Sequence, residues 1–127
     1  MSKERNTSII PLKEIVKDPD IYPRTHESPK TVESYVEALE AGAVFPPILV
    51  QRIITNDGKS CTVFLDGVHR ARAYAKVKRK EIEAQYWKEE PLEKERWLTQ
   101  LQLESAKANS KHGDRLGNED KRFVARR

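Results

Sequence analysis

Apolar residues between Ser28 and Gly42 recur at the spacing of a helix. They lie three, four and seven residues apart, which places them on one helical face: Val32, Tyr35, Val36 and Leu39. Ser28 is typical of an N-cap, Pro29 of a first helical position, and Gly42 of a C-terminal stop. The pattern predicts one amphipathic helix between these limits.

Strand patterns occur on both sides of this helix. Residues 8–12 predict a short strand that runs into a helical turn at Lys13–Lys17. Residues 48–54 and 62–65 predict two strands, joined through the hairpin sequence at 56–59, Asn-Asp-Gly-Lys. An alanine-rich helix follows at residues 71–75, and residues 82–87 predict another strand.

The C-terminal third is predicted to be helical. Pro91 opens a long helix to about Ala108, with Trp97, Leu98, Leu101 and Ser105 on one face. A polar turn at residues 112–114 is expected to interrupt it, and a further helix is expected to start near residues 117–118. That helix is unfinished at Arg127, so we expect a longer architecture to continue beyond it.

These elements predict an α+β fold, a small mixed β-sheet with packed helices and a helical C-terminal extension. The length of 127 residues suits one domain, with a core in residues 1–90 and a helical segment in residues 91–127. The lone cysteine, Cys61, excludes an internal disulfide and is predicted to be a buried thiol. The charged N-terminus lacks an apolar stretch, which indicates a cytoplasmic protein without a signal peptide or membrane anchor.

Positive charge is concentrated at one end of the chain. Residues 105–127 contain seven cations and three anions, an excess equal to the net charge of +4 of the whole chain. A basic end of this kind suits phosphate groups or nucleic acid.

The most informative stretch is Asp66-Gly67-Val68-His69-Arg70, where a strand ends and a helix begins. Free N–H groups and the helix dipole favour an anion at such a junction. Gly67 permits close approach of the backbone, and Arg70 offers a planar donor fork. The stretch predicts a phosphate site.

Three segments in order resemble the ParB/sulfiredoxin superfamily over nearly the whole chain. The junction resembles its Gly-x-x-Arg phosphate loop, and residues 21–24, Ile-Tyr-Pro-Arg, resemble its early Pro-Arg motif. Residues 108–113, Ala-Asn-Ser-Lys-His-Gly, are similar to the third motif of ParB-like regulators of plasmids, phages and antibiotic clusters.

The resemblance implies a domain that binds CTP or another nucleoside triphosphate with Mg²⁺ and belongs to a DNA-binding partition or transcription-regulator protein. It implies a nucleotide site from all three motifs: Arg24, Gly67, Val68, His69, Arg70, Arg72, Asn109, Lys111 and His112. Asn109 would contact the Mg²⁺. The implied partners are DNA, through the basic end and segments beyond Arg127, and a second copy of the chain in a homodimer.

Departures from the family pattern keep the enzymatic alternatives open. Ala108 stands where ParB proteins carry a glutamate expected to help hold magnesium, so nucleotide binding is expected more firmly than a weak CTPase activity. Val68 stands where sulfiredoxins carry their cysteine. A kinase of the free serine type would use Glu27 or Asp66 as its base. A nuclease, which would need a metal site, is the remaining enzymatic alternative.

Overall fold

A single mixed sheet organises the chain. The computed structural model describes residues 7–22 and 28–117, with side chains through residue 108. The six strands are β1 (Thr7–Pro11), β2 (Ile15–Val16), β3 (Ile48–Ile54), β4 (Ser60–Asp66), β5 (Glu81–Tyr86) and β6 (Leu92–Glu93). The three α-helices are α1 (Pro29–Glu40), α2 (Val68–Lys76) and α3 (Lys94–Gly117). The α+β prediction is confirmed.

The strands lie in the order β1-β5-β3-β4-β2, and the short β6 pairs with the end of β3. The β1–β5 and β3–β4 pairs are antiparallel. The β2–β4, β3–β5 and β3–β6 pairs are parallel. The β3–β4 hairpin turns at Gly58, whose φ of 82° lies in the left-handed region that glycine adopts without strain. The predicted hairpin is confirmed.

Helices cover both faces of the sheet because its central strands carry apolar side chains on each side. On one face Ile48, Val50 and Phe64 pack with Val68 and Ala71 of α2. The opposite face is covered by α3, and its cluster is Ile53, Val63, Leu65, Leu92 and Leu101. Both faces of β3 and β4 are therefore buried, as expected for the centre of a mixed sheet.

Helix α1 begins and ends at the predicted residues. The Ser28 side chain accepts a hydrogen bond from the Thr31 N–H at 3.1 Å, and Pro29 is the first helical residue. Gly42 follows the C-cap with a φ of 97°. The helix packs through Val32 and Leu39 onto Ala73 of α2. The predicted cap, apolar face and stop are confirmed.

Two predictions for the C-terminal third are wrong. Helix α3 starts at Lys94 rather than Pro91 because Leu92 and Glu93 first pair with Ile53 and Ile54 as a strand. The polar turn at residues 112–114 does not interrupt the helix, which runs to Gly117. One glycine in a helix costs only about 1 kcal/mol, so a single glycine is a weak stop signal. The further helix predicted near residue 118 lies outside the described residues.

Two smaller predictions are corrected near the N-terminus and at the cysteine. Instead of a helical turn at residues 13–17, a 3-10 turn at Leu12–Glu14 is followed by strand β2, because the β-branched Ile15 and Val16 pair with β4. Cys61 is only partly buried, at the edge of the core that α3 covers. No helix in residues 7–22 and 28–117 has the length and apolar character needed to cross a bilayer.

Gln51 joins the sheet to the segment that leads into α3. Its buried side chain donates to the Arg52 and Glu90 carbonyls, both at 3.0 Å, and accepts from the Lys88 N–H at 2.8 Å. Its amide is therefore well satisfied although it is fully buried. Nearby, Trp87 and Trp97 meet edge to face at a centroid distance of 6.0 Å and pack against the core that α3 covers.

Gly67 lets helix α2 approach the sheet closely. Its φ is 109°, and a Cβ placed on it would lie 2.3 Å from Cγ2 of Ile48. Gly58 has a φ of 82°, but a Cβ placed there would have nothing within 4 Å. The two glycines share a left-handed backbone and differ in packing, so they form a matched pair for substitution.

We predict that Gly67→Ala lowers the free energy of unfolding by about 2–5 kcal/mol, the sum of left-handed strain and overpacking. Gly58→Ala adds only the strain and should cost about 1–2 kcal/mol. Urea unfolding followed by tryptophan fluorescence measures both. Equal losses in the two variants would show that the contact with Ile48 contributes nothing.

Candidate functional site

The junction between β4 and α2 has the geometry of an anion site. Strand β4 ends at Asp66, Gly67 turns the chain in the left-handed region, and α2 starts at Val68. Gly67 is the N-cap residue and has no side chain that could cap the helix. Because the first N–H groups of a helix have no partner within it, this end of α2 is suited to receive an external acceptor.

Val68 contributes to this junction through its backbone alone. Its side chain is buried in the core between α2 and the sheet. Of the predicted phosphate cradle, Gly67 and Val68 can therefore offer N–H groups, and side-chain recognition depends on their neighbours.

His69 connects the starts of two helices. Its Nε2 accepts a hydrogen bond of 2.9 Å from the backbone N–H of Ser28, the N-cap of α1. The N-terminal ends of α1 and α2 therefore meet at this imidazole. Each helix start carries a partial positive charge from its dipole. Together the two charges strengthen the preference for negative charge at the region formed by Ser28, Gly67, Val68 and His69, here called the corner.

Arg70 lies beneath the junction, and its guanidinium is held by protein acceptors. Its Nη1 donates to the carbonyl oxygens of Pro46 at 2.9 Å and Pro47 at 3.3 Å. Its Nη2 lies 3.1 Å from Oδ2 of Asp66, and both side chains are largely buried. In this arrangement Arg70 ties α2 to the loop before β3 and to the end of β4. Direct phosphate binding by Arg70 stays a prediction.

Tyr35 stands beside this ion pair, and the sequence patterns did not single it out for function. Burial raises the pKa of the Tyr35 hydroxyl, nearby Arg70 lowers it and Asp66 raises it again. Its ring contacts Phe45 at a centroid distance of 5.2 Å. Tyr35 belongs to the apolar face of α1, where a packing role hides its position next to charged groups.

Arg72 lies on another side of α2 from this corner. It is exposed and lines a cavity with Leu12, Phe64 and Ala75, whereas α1 packs against Ala73. Its predicted role with phosphate stays a prediction, and its surroundings differ from those of His69 and Arg70.

The remaining predicted residues are placed only in part. Arg24 and Glu27 lie outside the described residues. Asn109, Lys111 and His112 are positions of helix α3, whose side chains are described only to residue 108. Their assignments to nucleotide, Mg²⁺ and catalysis stay predictions. Across the described residues, no group of three or more histidine, cysteine, aspartate or glutamate side chains is arranged to hold a metal ion.

The sequence pointed to α2 as an anion site but missed the contribution of α1. Ser28 and Pro29 are typical of a helix start, and the positive end of that helix dipole also favours an anion. The signal was present, but only the fold brings residues 28 and 69 together. The carbonyls of Pro46 and Pro47, which hold Arg70, left no side-chain signal in the sequence.

Comparison with known proteins identifies the fold. No family model and no curated protein sequence matches the chain. Among solved structures, it is similar to C-terminally truncated ParB from Caulobacter crescentus complexed with CTP-γ-S, with 20% identity and a TM-score of 0.54. This match covers 67% of the chain and 46% of that ParB. The chain spans less than half of that relative.

Two further structures extend the comparison. Sulfiredoxin from Arabidopsis thaliana matches with 21% identity and a TM-score of 0.53, over 76% of this chain and 97% of that one. A free serine kinase, solved as a glutamate-to-glutamine mutant in complex with AMP, matches with 20% identity and a TM-score of 0.51. That match covers 67% of this chain and 32% of the kinase. The protein has the fold of the ParB/sulfiredoxin superfamily.

We predict that Arg70→Ala lowers the free energy of unfolding by about 3–5 kcal/mol, because it removes the largely buried guanidinium that pairs with the Asp66 carboxylate. Lys76→Ala, at an exposed cation of the same helix, should change it by about 0.5 kcal/mol or less. Replacing both partners, as Asp66→Asn with Arg70→Met, should recover part of the loss. Urea unfolding measures all three.

Unaltered stability of Arg70→Ala would contradict a structural role for this ion pair. The guanidinium donors would then be available to a bound anion at little cost to the fold.

Proposed function

We propose that this chain is a ParB-like domain that binds a nucleoside triphosphate, with CTP the expected nucleotide. In this proposal, nucleotide binding is coupled to DNA binding and dimerisation of a partition or transcription-regulator protein. The observation that carries it is the meeting of two helix N-termini at His69. A triphosphate is the kind of multiply charged anion that two convergent helix dipoles favour.

In this proposal, some residues of the corner bind phosphate and others position the start of α2. The N–H groups of the first turn of α2 and the imidazole of His69 would contact phosphate oxygens. Arg70 acts as a positioning residue, since its bonds to Asp66, Pro46 and Pro47 fix where α2 begins. Arg24, Asn109, Lys111 and His112 would complete the site, with Arg72 at its edge and Asn109 near the Mg²⁺.

The DNA-binding part of the proposal rests on charge and on fold similarity. The last 23 residues carry the whole net charge of +4. ParB from Caulobacter crescentus has been solved both with CTP-γ-S and on its centromeric parS site. We propose that the basic end and segments beyond Arg127 contact DNA, and that a homodimer forms.

A kinase of the free serine type is the second candidate, supported by the similarity to a kinase structure that holds AMP. Of its two candidate bases, Asp66 already engages Arg70 through Oδ2. The kinase proposal therefore depends chiefly on Glu27. A nuclease stays the remaining enzymatic alternative. A weak CTPase activity would have to proceed without the glutamate that Ala108 replaces.

We expect CTP with Mg²⁺ to bind saturably in calorimetric titrations that compare CTP, ATP, GTP and UTP, each with and without Mg²⁺. His69→Ala should raise the Kd of CTP about 10-fold to 100-fold, because a hydrogen bond to a charged group contributes about 1.5–3 kcal/mol. Lys107→Ala, at an exposed cation of α3, is the matched control and should bind like the wild type.

A second variant separates binding from folding. His69→Gln keeps an oxygen that can accept the Ser28 N–H, so it should preserve the melting temperature while weakening CTP binding. Preference for ATP would favour the kinase. Failure of every nucleotide to bind would overturn both proposals.

A further inference from the structure

A second basic cavity lies on the side of α2 that faces away from α1. Its volume is about 700 Å³, and it opens between α2, the turn after β1 and the turn before β5. Its apolar lining comes from Leu12, Phe64, Ala71 and Ala75. Phe64 and Ala71 are buried and form its floor. The cavity is separate from the corner at His69, which involves the start of α2.

The charges around this cavity are mostly positive. Lys13, Arg72, Arg79 and Lys80 line it together with a single acid, Glu81. Lys13 and Lys80 are exposed, and within the described part of the chain neither forms an ion pair. The guanidinium of Arg79 lies 4.9 Å from the centroid of the Tyr74 ring. This stacking limits the motion of Arg79 and holds its charge near the opening.

The turn that carries these cations is strained. Lys78 has a φ of 68°, the only positive φ of a non-glycine residue in the described chain. Its N–H bonds to Ala75 O at 3.0 Å, and the N–H of Arg79 bonds to Tyr74 O at 3.0 Å. This pattern closes a helix, and glycine normally occupies the left-handed position. Lysine there costs about 1–2 kcal/mol.

Helix stability alone does not account for this arrangement. Cations near the end of a helix are stabilised by its dipole, which explains Lys76. The dipole does not require lysine at a strained position, where glycine would relieve the strain. Lys78 does not itself line the cavity, but the turn that it closes places Arg79 and Lys80 at the opening.

We propose that this cavity binds a single strand of nucleic acid. Several cations spread around an opening suit a chain of phosphates better than one isolated phosphate, and arginine matches phosphate geometry. The apolar floor and the volume of about 700 Å³ suit an unpaired base, which a duplex keeps inside its stack. The proposal is independent of nucleotide binding at His69.

The test is the salt dependence of oligothymidine binding, followed by fluorescence anisotropy. We expect the wild type to bind at low salt and Lys13→Gln with Lys80→Gln to bind more weakly. The slope of log K against log salt should become shallower by about 1.4, because each lost phosphate contact contributes about 0.7 for a single strand. Lys59→Gln with Arg96→Gln is the control, because it removes two exposed cations that lie away from both the cavity and the basic end of the chain.

Ala75→Leu fills the cavity without altering charge. It should weaken oligothymidine binding while leaving the melting temperature and CTP binding at His69 unchanged. This second variant keeps the proposal testable even if the lysine pair affects folding.

The proposal is overturned if oligothymidine does not bind at low salt, or if the control pair changes the slope as much as the test pair. An equal loss of duplex binding in the variant with Lys13→Gln and Lys80→Gln would indicate an electrostatic surface without a base pocket and would also overturn it. Displacement of the strand by CTP would place the strand at the corner of His69 and would overturn the proposal. Equal competition by polyglutamate would show that any polyanion binds, and it would overturn the proposal as well.

Discussion

The contact between the backbone of Gly67 and the side chain of Ile48 sets the geometry of the rest of the molecule. Because no Cβ fits there, the start of α2 lies closer to Ile48 than a residue with a side chain would allow. That approach brings Arg70 within reach of the carbonyls before β3 and buries Val68 in the core. The placement of His69 against the start of α1 follows from the same turn.

Polar and apolar forces act together at this turn. The apolar cluster beneath α2 provides the driving force for packing, whereas the Arg70–Asp66 pair with the two proline carbonyls specifies orientation. A buried ion pair contributes little net stability but disfavours arrangements that leave either partner alone. The corner is accordingly rigid at its base, with its N–H groups directed by the helix start.

Local sequence signals predicted most of the fold because residues typical of helix ends and of tight turns mark where elements begin and end. Ser28, Pro29 and Gly42 delimited α1, and the turn at Gly58 fixed the hairpin. The errors arose where tertiary pairing overrides local preference. Leu92 became part of a strand because the end of β3 extends beyond its pairing with β5, and no feature of residues 91–93 contains that information.

At the candidate site, too, the sequence predicted the local features and missed those that depend on tertiary contacts. The strand–glycine–helix pattern predicted an anion site at Gly67 from local chemistry. The participation of α1 could not be predicted from spacing, since residues 28 and 69 are adjacent only in the fold. Arg70 was assigned to phosphate because a guanidinium suits phosphate, but the acceptors that occupy it are backbone carbonyls, which every residue carries.

The hydrogen bond from Ser28 to His69 also imposes a chemical condition on the ring. Nε2 can accept that bond only while it carries no proton, so the proton of the neutral imidazole resides on Nδ1. A doubly protonated ring would be a better partner for an anion but would have no lone pair left for the amide of Ser28. A proton on Nε2 and the hydrogen bond from the N-cap residue of α1 are thus mutually exclusive, so the start of α1 selects one tautomer of the His69 ring.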